Sequence, residues 1–343
     1  MKNLYLLLLF MVAATAVADA QKIEKIEKVG SALYEMVYNA KDDSLYVAAV
    51  GKRGEPATAN IYKLDPKTLA VKGTINVGEA PAYGLGLNRI TQTLYSSNTR
   101  SNSVHAIDLK TGKVVATIKN GKDSSHTREV VADEKNNKIY VSNISDIWVI
   151  DGKTNKFSHL IEGIGEGVTG LAIDQDAGRL YVSDMRANTI TVLDVKTDKV
   201  VGKFDTGGKN AINVALDTKG KRLFVAHQES GTVSVLTTDG KLLKSFETGA
   251  GALGIAFNPA KDQIYVSNRR AKTTSIIDGK TYDKIADLET GTFPQTIAFD
   301  EKSGRVWVTN KAQGSPRQQP GLPAPPPAPE DPNGDVVTLI SPK

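Results

Sequence analysis

One short pattern recurs along the chain and constrains its fold more than any other feature. In the stretch 170–208, four runs of alternating residues are separated by turns rich in Gly, Asp and Asn. β-Branched and aromatic residues at this spacing predict an antiparallel meander of four strands. One such sheet cannot bury both of its faces, so it needs neighbouring copies.

The second strand of this pattern occurs seven times, as LYVAAV, LYSSN, IYVSN, LYVSD, LFVAH, IYVSN and VWVTN. Its aromatic residue returns every forty to fifty residues, which is the period of a four-stranded propeller blade. The sequence therefore predicts an all-β fold, a single seven-bladed β-propeller of four-stranded antiparallel blades. The aromatic residues are Tyr46, Tyr95, Tyr140, Tyr181, Phe224, Tyr265 and Trp307.

Most copies also carry an Asp-x-Lys-Thr turn after the third strand, as at 108–111 and 194–197. With these turns, the repeat resembles the YVTN β-propeller family. The runs YEMVYN, GLGLN, REVVAD and GIAFNP are most similar to the periplasmic YncE-type propellers of that family. The resemblance covers nearly the whole mature chain and implies the propeller fold. It implies much less about function, because one fold hosts many functions.

Residues 1–20 have the features of an export signal. Lys2 supplies a positive start, an apolar stretch follows, and Ala18 and Ala20 form a small-x-small cleavage pattern. Cleavage after Ala20 would leave residues 21–343 as a periplasmic or secreted propeller, expected to be a monomer without membrane insertion. The chain has no cysteine, which excludes disulfides, thiol nucleophiles and thiolate metal sites.

The last copy of the repeat is irregular. Its second strand is followed by the proline-rich stretch 311–334, which predicts a polyproline or disordered loop that is dispensable for folding and available for partner docking. A third strand follows at 335–340, and no fourth strand remains. Residues 22–29 would close the last blade, although Ile23, Ile26 and Val29 are three apart, which leaves a short helix or a frayed arm as alternatives.

The formal net charge of +5 is a mild excess that matters only once it is placed on a face of the fold. In a propeller, the loops between strands two and three and the loops between blades share one face, here called the loop face. Arginine is concentrated there, whereas Asp and Lys alternate in the tight turns of the opposite face, here called the turn face. Guanidinium groups suit phosphates and carboxylates, so the loop face is predicted to bind anions.

Each inner strand ends in Asp or Asn, and the residue five positions earlier begins that strand near the loop face. These residues are predicted to surround the mouth of the central channel, with Glu35, Glu129 and Asn213 one position further in. The two carboxylates would form an acid/base pair or, more in keeping with their neighbours, salt bridges to Arg128. The seven mouth residues are Tyr34, Tyr83, Arg128, Thr169, Ile212, Leu253 and Gln295. The predicted ligand-binding residues are Tyr34, Tyr83, Arg100, Arg128, Arg186, Arg269 and Arg270.

No catalytic, cofactor or metal motif stands out, and none is predicted. The four histidines lack metal-ligand spacing. His227 replaces the Asn or Asp that ends most second strands, and it is expected at the surface or at the rim of the channel.

These features favour an exported, non-enzymatic binding propeller whose basic loop face takes an anionic polymer, with single-stranded DNA as the candidate. Charged tracks combined with aromatic stacking platforms are typical of proteins that hold single strands. Two alternatives remain. One is a protein–protein scaffold of the cell envelope that uses the proline-rich loop. The other is a propeller enzyme, similar to quinoprotein dehydrogenases or lactonases, with its site at the channel mouth.

Overall fold

The computed structural model describes residues 21–52, 54–122, 126–314 and 329–341. Their strands form seven four-stranded antiparallel sheets. Blade 1 begins with the inner strand near Leu33, and the blades follow in chain order to blade 7, so the predicted seven-bladed propeller is confirmed. The export-signal prediction for 1–20 and most of the proline-rich stretch, 315–328, lie outside these residues.

Within each blade, successive strands lie next to one another from the channel outward. The seven inner strands are β2 (Leu33–Asn39), β6 (Gly84–Asn88), β10 (Val130–Asp133), β14 (Val168–Asp174), β18 (Ala211–Asp217), β22 (Ala252–Asn258) and β26 (Phe293–Phe299). The second strands are β3 (Ser44–Ala49), β7 (Thr93–Asn98), β11 (Lys138–Ser142), β15 (Arg179–Asp184), β19 (Arg222–His227), β23 (Gln263–Asn268) and β27 (Val306–Lys311).

The two remaining strands of each blade complete the sheet toward the outside. The third strands are β4 (Asn60–Leu64), β8 (Ser103–Asp108), β12 (Ile147–Asp151), β16 (Thr189–Asp194), β20 (Thr232–Thr237), β24 (Thr273–Asp278) and β28 (Val336–Ile340). The outer strands are β5 (Val71–Asn76), β9 (Lys113–Ile118), β13 (Lys156–Ile161), β17 (Lys199–Asp205), β21 (Leu242–Glu247), β25 (Lys284–Leu288) and β1 (Ile23–Lys28). Helical structure in the described residues is confined to one 3₁₀ turn, Pro56–Thr58. These residues contain no helix with the length and apolar character needed to span a membrane.

Asp and Asn at the strand ends hold the tight turns of the turn face. The Asp174 carboxylate accepts the backbone N–H groups of Asp176 and Ala177, at 3.1 and 2.9 Å. Asn88 does the same for the two residues that follow Arg89. Side chains of this length satisfy turn amides that have no strand partner, which explains why the repeat keeps these residue types.

The seven second-strand aromatic residues hold adjacent blades together. Each is at most 3% exposed and packs into the apolar cluster shared with the following blade. Polar atoms on these rings find partners in the next blade as well. The Tyr140 hydroxyl donates to Asp198 at 2.8 Å, and the indole N–H of Trp307 donates to the carbonyl of Pro66 at 2.9 Å. The core of the molecule is therefore a ring of seven similar interfaces.

The N-terminal segment closes this ring. β1 pairs antiparallel with β28, the third strand of blade 7, and so becomes its outer strand. Exposure alternates along β1, and Ile26 points outward at 43% exposure. The apolar spacing of three thus arises because one of the isoleucines does not face the core. At the start of the segment, the Gln21 amide donates to the Tyr265 hydroxyl of blade 6 at 2.9 Å.

Both described ends of the proline-rich stretch are attached to blade 7. Asp331 accepts the Thr292 hydroxyl at 2.7 Å and the Gln313 backbone N–H at 3.0 Å. The Thr292 backbone N–H donates to the Asn333 carbonyl at 2.9 Å. The dispensable part is therefore shorter than 311–334, because residues up to Gln313 and from Asp331 onward make contacts with the ring.

Candidate functional site

The beginnings of the inner strands surround a cavity of ≈ 500 Å³ at the loop-face mouth of the channel. The seven residues that the sequence places five positions before each aligned Asp or Asn all line it. Although their positions in the repeat are equivalent, these residues differ in size and polarity, ranging from tyrosine and arginine to isoleucine and leucine. At these seven positions blades 1 to 3 supply two tyrosines and an arginine, whereas blades 4 to 7 supply uncharged residues without an aromatic ring.

Tyr34 and Tyr83 form the aromatic part of the wall. Their ring centroids lie 4.9 Å apart in an edge-to-face arrangement, and burial raises the pKa of Tyr83. Lys311, from the end of β27, donates to the Tyr34 hydroxyl at 2.6 Å and lies 4.1 Å from the centroid of that ring. The guanidinium of Arg100 lies 5.9 Å from the Tyr83 centroid. Both rings are thus bordered by cations.

Three of the five predicted arginines line the cavity: Arg100, Arg128 and Arg269. Among the residues that the structure describes, none of the three forms an ion pair with a carboxylate. Burial lowers the pKa of Arg128 and Arg269, but a guanidinium stays charged in proteins. Arg186 and Arg270 are exposed and are not part of the cavity wall. The structure brings together five of the seven predicted site residues and leaves these two outside.

Arg128 and Arg269 are each placed by a neighbour. A terminal nitrogen of Arg128 lies 2.6 Å from the His126 ring nitrogen Nε2. Burial and the charge of Arg128 lower the pKa of His126, so that this ring accepts from the guanidinium in its neutral form. Arg269 lies over the ring of Phe293, at 5.1 Å from its centroid.

Glu35 and Glu129 lie below the mouth residues, in the channel itself. Burial raises the pKa of Glu35 to about 7, an effect that hydrogen bonds from the Met36 backbone and Thr296 partly offset. Burial, together with the negative charge of Glu35, raises the pKa of Glu129 well above its usual range. The expected salt bridges to Arg128 are absent from the described part of the chain. Arg128 is instead hydrogen-bonded to His126. The carboxyl groups of Glu35 and Glu129 interact electrostatically with each other.

His227 is fully buried, and its expected place at the surface or rim is wrong. Its Nε2 lies 3.0 Å from the Thr206 hydroxyl, and burial lowers its pKa to about 4. The loop from blade 4 to blade 5 covers it, since a Cβ on Gly208 would overlap the imidazole. The ends of second strands are interior positions, where a neutral histidine replaces Asn or Asp.

Two residues that contact the predicted site were not predicted as part of it: Phe293, and Lys311, which the sequence places only among the basic residues of the loop face. Lys311 and Phe293 contact predicted site residues across the junction of blades 6, 7 and 1, and the repeat gives no signal for contacts between distant parts of the chain. Thr296 lies at the same depth in the channel as Glu35, because the two residues occupy equivalent positions in the repeat. In the described residues, no cluster of three or more His, Asp or Glu side chains is arranged to hold a metal ion.

Seven four-stranded blades around a polar channel define this molecule as a seven-bladed β-propeller with its candidate site at the loop-face mouth. A family model described as YNCE-like beta-propeller matches residues 15–238, and the chain belongs to that YncE-like β-propeller family.

The relatives share most of the chain. A protein of Salmonella typhimurium (strain LT2) named "Uncharacterized protein YncE" is 33% identical over 305 residues, which cover 85% of this chain and 86% of that protein. The protein of the same name from Escherichia coli (strain K12) is 36% identical over 173 residues, 48% of this chain and 49% of its own. The β-propeller domain of Cps50 (Swd1) from Myceliophteria thermophila superimposes with a TM-score of 0.73 at 12% identity, covering 94% of this chain and 99% of that domain. This last likeness shows the fold alone.

Proposed function

We propose that this chain is a non-enzymatic binding propeller whose loop face holds an anionic polymer, with single-stranded DNA as the candidate. The observation that carries the proposal is the convergence of Arg100, Arg128 and Arg269 on one cavity without a carboxylate partner among the described residues. Guanidinium groups that are not neutralised by the protein are available to phosphates, which they bind in a bidentate manner.

Tyr34 and Tyr83 support a nucleic acid over a featureless polyanion. Base–aromatic stacking contributes about 1–3 kcal/mol per base and tolerates any sequence. Because the edge of one ring meets the face of the other, a base has only part of this aromatic surface to stack on. The exposed Arg186 and Arg270 would hold phosphates further along the strand, outside the cavity.

Fluorescence anisotropy with a labelled single strand of about 12 nucleotides tests the proposal, at salt concentrations from about 50 to 200 mM. The variant Arg100→Ala/Arg128→Ala/Arg269→Ala should bind more weakly, and the slope of log K against log salt should fall by about 2, because each lost phosphate contact on a single strand removes about 0.7. The variant Arg186→Ala/Arg270→Ala should show a smaller loss.

The matched control removes three positive charges from the turn face, with Lys110→Ala/Lys196→Ala/Lys280→Ala. These lysines are exposed, and their turns are held by backbone N–H groups that alanine keeps. Binding should be unchanged in this variant. Absence of binding at low salt, or equal losses in the mouth and turn-face variants, would contradict the proposal. Heparin as a competitor separates nucleic-acid binding from general polyanion binding.

The proposal includes export of the chain, in the periplasm or to the outside. The mature N-terminus would then be Gln21, whose amide is held by Tyr265 at the closure of the ring. Mass spectrometry of the protein recovered from the periplasmic fraction should give a chain that begins at Gln21, and a chain that retains residues 1–20 would contradict export by cleavage.

A further inference from the structure

The inner strands alternate at one level of the channel. Blades 1, 3, 5 and 7 place a polar side chain there, whereas blades 2, 4 and 6 have glycine at the equivalent position. A Cβ on Gly84 would overlap the carbonyl oxygen of Arg128, and one on Gly254 would overlap that of Gln295. The glycines of blades 2 and 6 thus let the chain of the following blade approach closely. The four side chains that fill the channel at this level, here called the polar ring, are Glu35, Glu129, Asn213 and Thr296.

The polar ring forms the floor of the mouth cavity. Above it lies the cavity of ≈ 500 Å³, and on the turn-face side lies another of ≈ 660 Å³. The space at the ring itself is only ≈ 110 Å³. Glu35 and Glu129 line all three spaces, so the channel narrows at these carboxyl groups. A strand that enters the mouth therefore meets a polar floor rather than an open passage.

The floor presents both hydrogen-bond donors and hydrogen-bond acceptors. The Asn213 side-chain N–H donates to the Leu253 carbonyl at 3.0 Å, which leaves the amide oxygen as an acceptor toward the ring. The Glu35 carboxyl group accepts the Met36 N–H at 3.2 Å and is also hydrogen-bonded by Thr296, which leaves part of its acceptor capacity toward the cavity. Buried carboxyl groups that keep a proton near neutral pH add O–H donors to these acceptors. The edges of nucleobases likewise present donors and acceptors side by side.

The wall between floor and rim is divided. Blades 2 and 3 supply the guanidiniums of Arg100 and Arg128, whereas blades 4 and 5 supply Met185 and Ile212. Blade 6 supplies Leu253 together with the guanidinium of Arg269. A ligand that fits this arrangement has an anionic group at the rim, a flat and largely uncharged body against the apolar side, and a hydrogen-bonding edge at the bottom. Cavities of about 300–1,000 Å³ hold ligands of small-molecule size, and a single nucleotide is within that range.

We propose that the mouth cavity takes one nucleotide unit base first, with its base edge on the polar ring and its phosphate at the arginines of the rim. This inference rests on the proposed function and names the part of the polymer that the cavity recognises. The unit is a strand end, a base turned inward from within a strand, or a free nucleotide, since the three share the same chemistry.

The test compares strands that have the same number of phosphates. A fully abasic oligonucleotide keeps the charge and lacks every base edge. It should bind about 5- to 100-fold more weakly than its base-containing counterpart, since hydrogen-bonded base contacts contribute about 1–3 kcal/mol. Equal affinity for both strands would overturn the base-first proposal and leave polyanion binding intact. Failure of both to bind would instead overturn the proposed function.

Abasic strands with one restored base identify the source of the unit. If a base restored at an end recovers the affinity, the unit is a strand end. If a base restored in the middle recovers it, the unit is a base turned inward from within the strand. Competition by a free mononucleotide identifies the free nucleotide. If no single base in any position restores affinity and a mononucleotide does not compete, the cavity holds no base and the proposal is wrong.

Variants of the polar ring then separate the floor from the rim. Glu129→Met should lose most of the difference between base-containing and abasic strands, whereas Glu129→Gln, which keeps a donor and an acceptor, should retain it. The affinity for the abasic strand is the internal control and should be the same in both variants. A loss of abasic affinity in Glu129→Met alone would show that the substitution disturbs the arginine rim, and circular dichroism with thermal melting checks that each variant is folded.

Discussion

The interfaces between blades and the mouth of the channel are built from the same strands, yet their residues follow opposite rules. At every interface the same kind of residue returns, a second-strand aromatic that is almost completely buried. At the mouth, equivalent positions hold a different residue in nearly every blade. Repetition marks the side chains that hold the ring together. Divergence at equivalent positions marks those that give this ring its own chemistry.

The largest loss of stability is expected from removing the strand that makes the last interface like the others. Deleting residues 21–29 removes all of β1 and its ladder with β28, together with the contact from Gln21 to Tyr265. We expect the free energy of unfolding to fall by more than about 5 kcal/mol, the upper range for a single large core truncation. Urea unfolding measures it.

Ile26→Ala in the same strand is the control, because this side chain points outward and should contribute less than about 0.5 kcal/mol. An unchanged melting temperature after the deletion would mean that the ring closes without β1.

A tyrosine at a blade interface should contribute more to stability than a tyrosine at the mouth. Tyr140→Ala empties a fully buried position and removes the hydrogen bond to Asp198, so it should cost about 3–5 kcal/mol. Tyr34→Ala, at the half-buried mouth, loses its edge-to-face contact with Tyr83 and its contacts with Lys311, and should cost about 1–2 kcal/mol. Tyr140→Phe keeps the ring and separates packing from the hydrogen bond. Chemical denaturation of the three variants gives the values, and equal costs at Tyr140 and Tyr34 would contradict the division.

The difference between the interfaces and the mouth also explains which features of the molecule can be predicted from the sequence. Seven copies of one strand predict the blades and their number, because each copy must bury the same face. Aligning the copies also predicts which residues begin the inner strands, and hence the mouth. The closing strand was ambiguous because exposed Ile26 breaks its apolar alternation.

What the repeat cannot supply are contacts particular to one place in the ring. Lys311 reaches Tyr34 only because blade 7 closes against blade 1, a separation of 277 residues along the chain. The environment of His227 likewise depends on a loop from another blade. Such contacts follow from closure in space, and no spacing in the sequence encodes them.

The polar ring should make the stability of the protein depend on pH. Folding raises the pKa values of Glu35 and Glu129, so their contribution is fully present below the ordinary value of 4.5 and is lost as the pH rises through the raised values, about 7 for Glu35. The free energy of unfolding should therefore fall by on the order of 1–3 kcal/mol between about pH 5 and pH 8, at up to about 1.4 kcal/mol per unit for each group.

Glu35→Gln/Glu129→Gln should remove this decline and be more stable than the original chain at the higher pH. Urea unfolding across the pH range measures it, with exposed Glu24→Gln as the control that leaves the decline in place. The same decline in the double variant would assign it to other groups.

The smallest effect on stability is expected from the proline-rich stretch, whose described ends are attached to blade 7 rather than to an interface between blades. It connects β27 to β28 on the loop face, next to Lys311, and its anchored ends keep their contacts when only residues 315–328 are changed. Replacing these residues with a Gly/Ser sequence of equal length keeps the number of residues in the loop, so the entropy of closure changes only through the stiffness of the chain. The melting temperature should stay within about 1.5 °C, which corresponds to roughly 1 kcal/mol in a chain of this size. Asp331→Ala is the matched contrast, since it removes the acceptor for Thr292 and Gln313 and should lower the melting temperature further. A loss of stability in the linker variant that equals or exceeds that of Asp331→Ala would show that the proline-rich residues themselves pack on the ring.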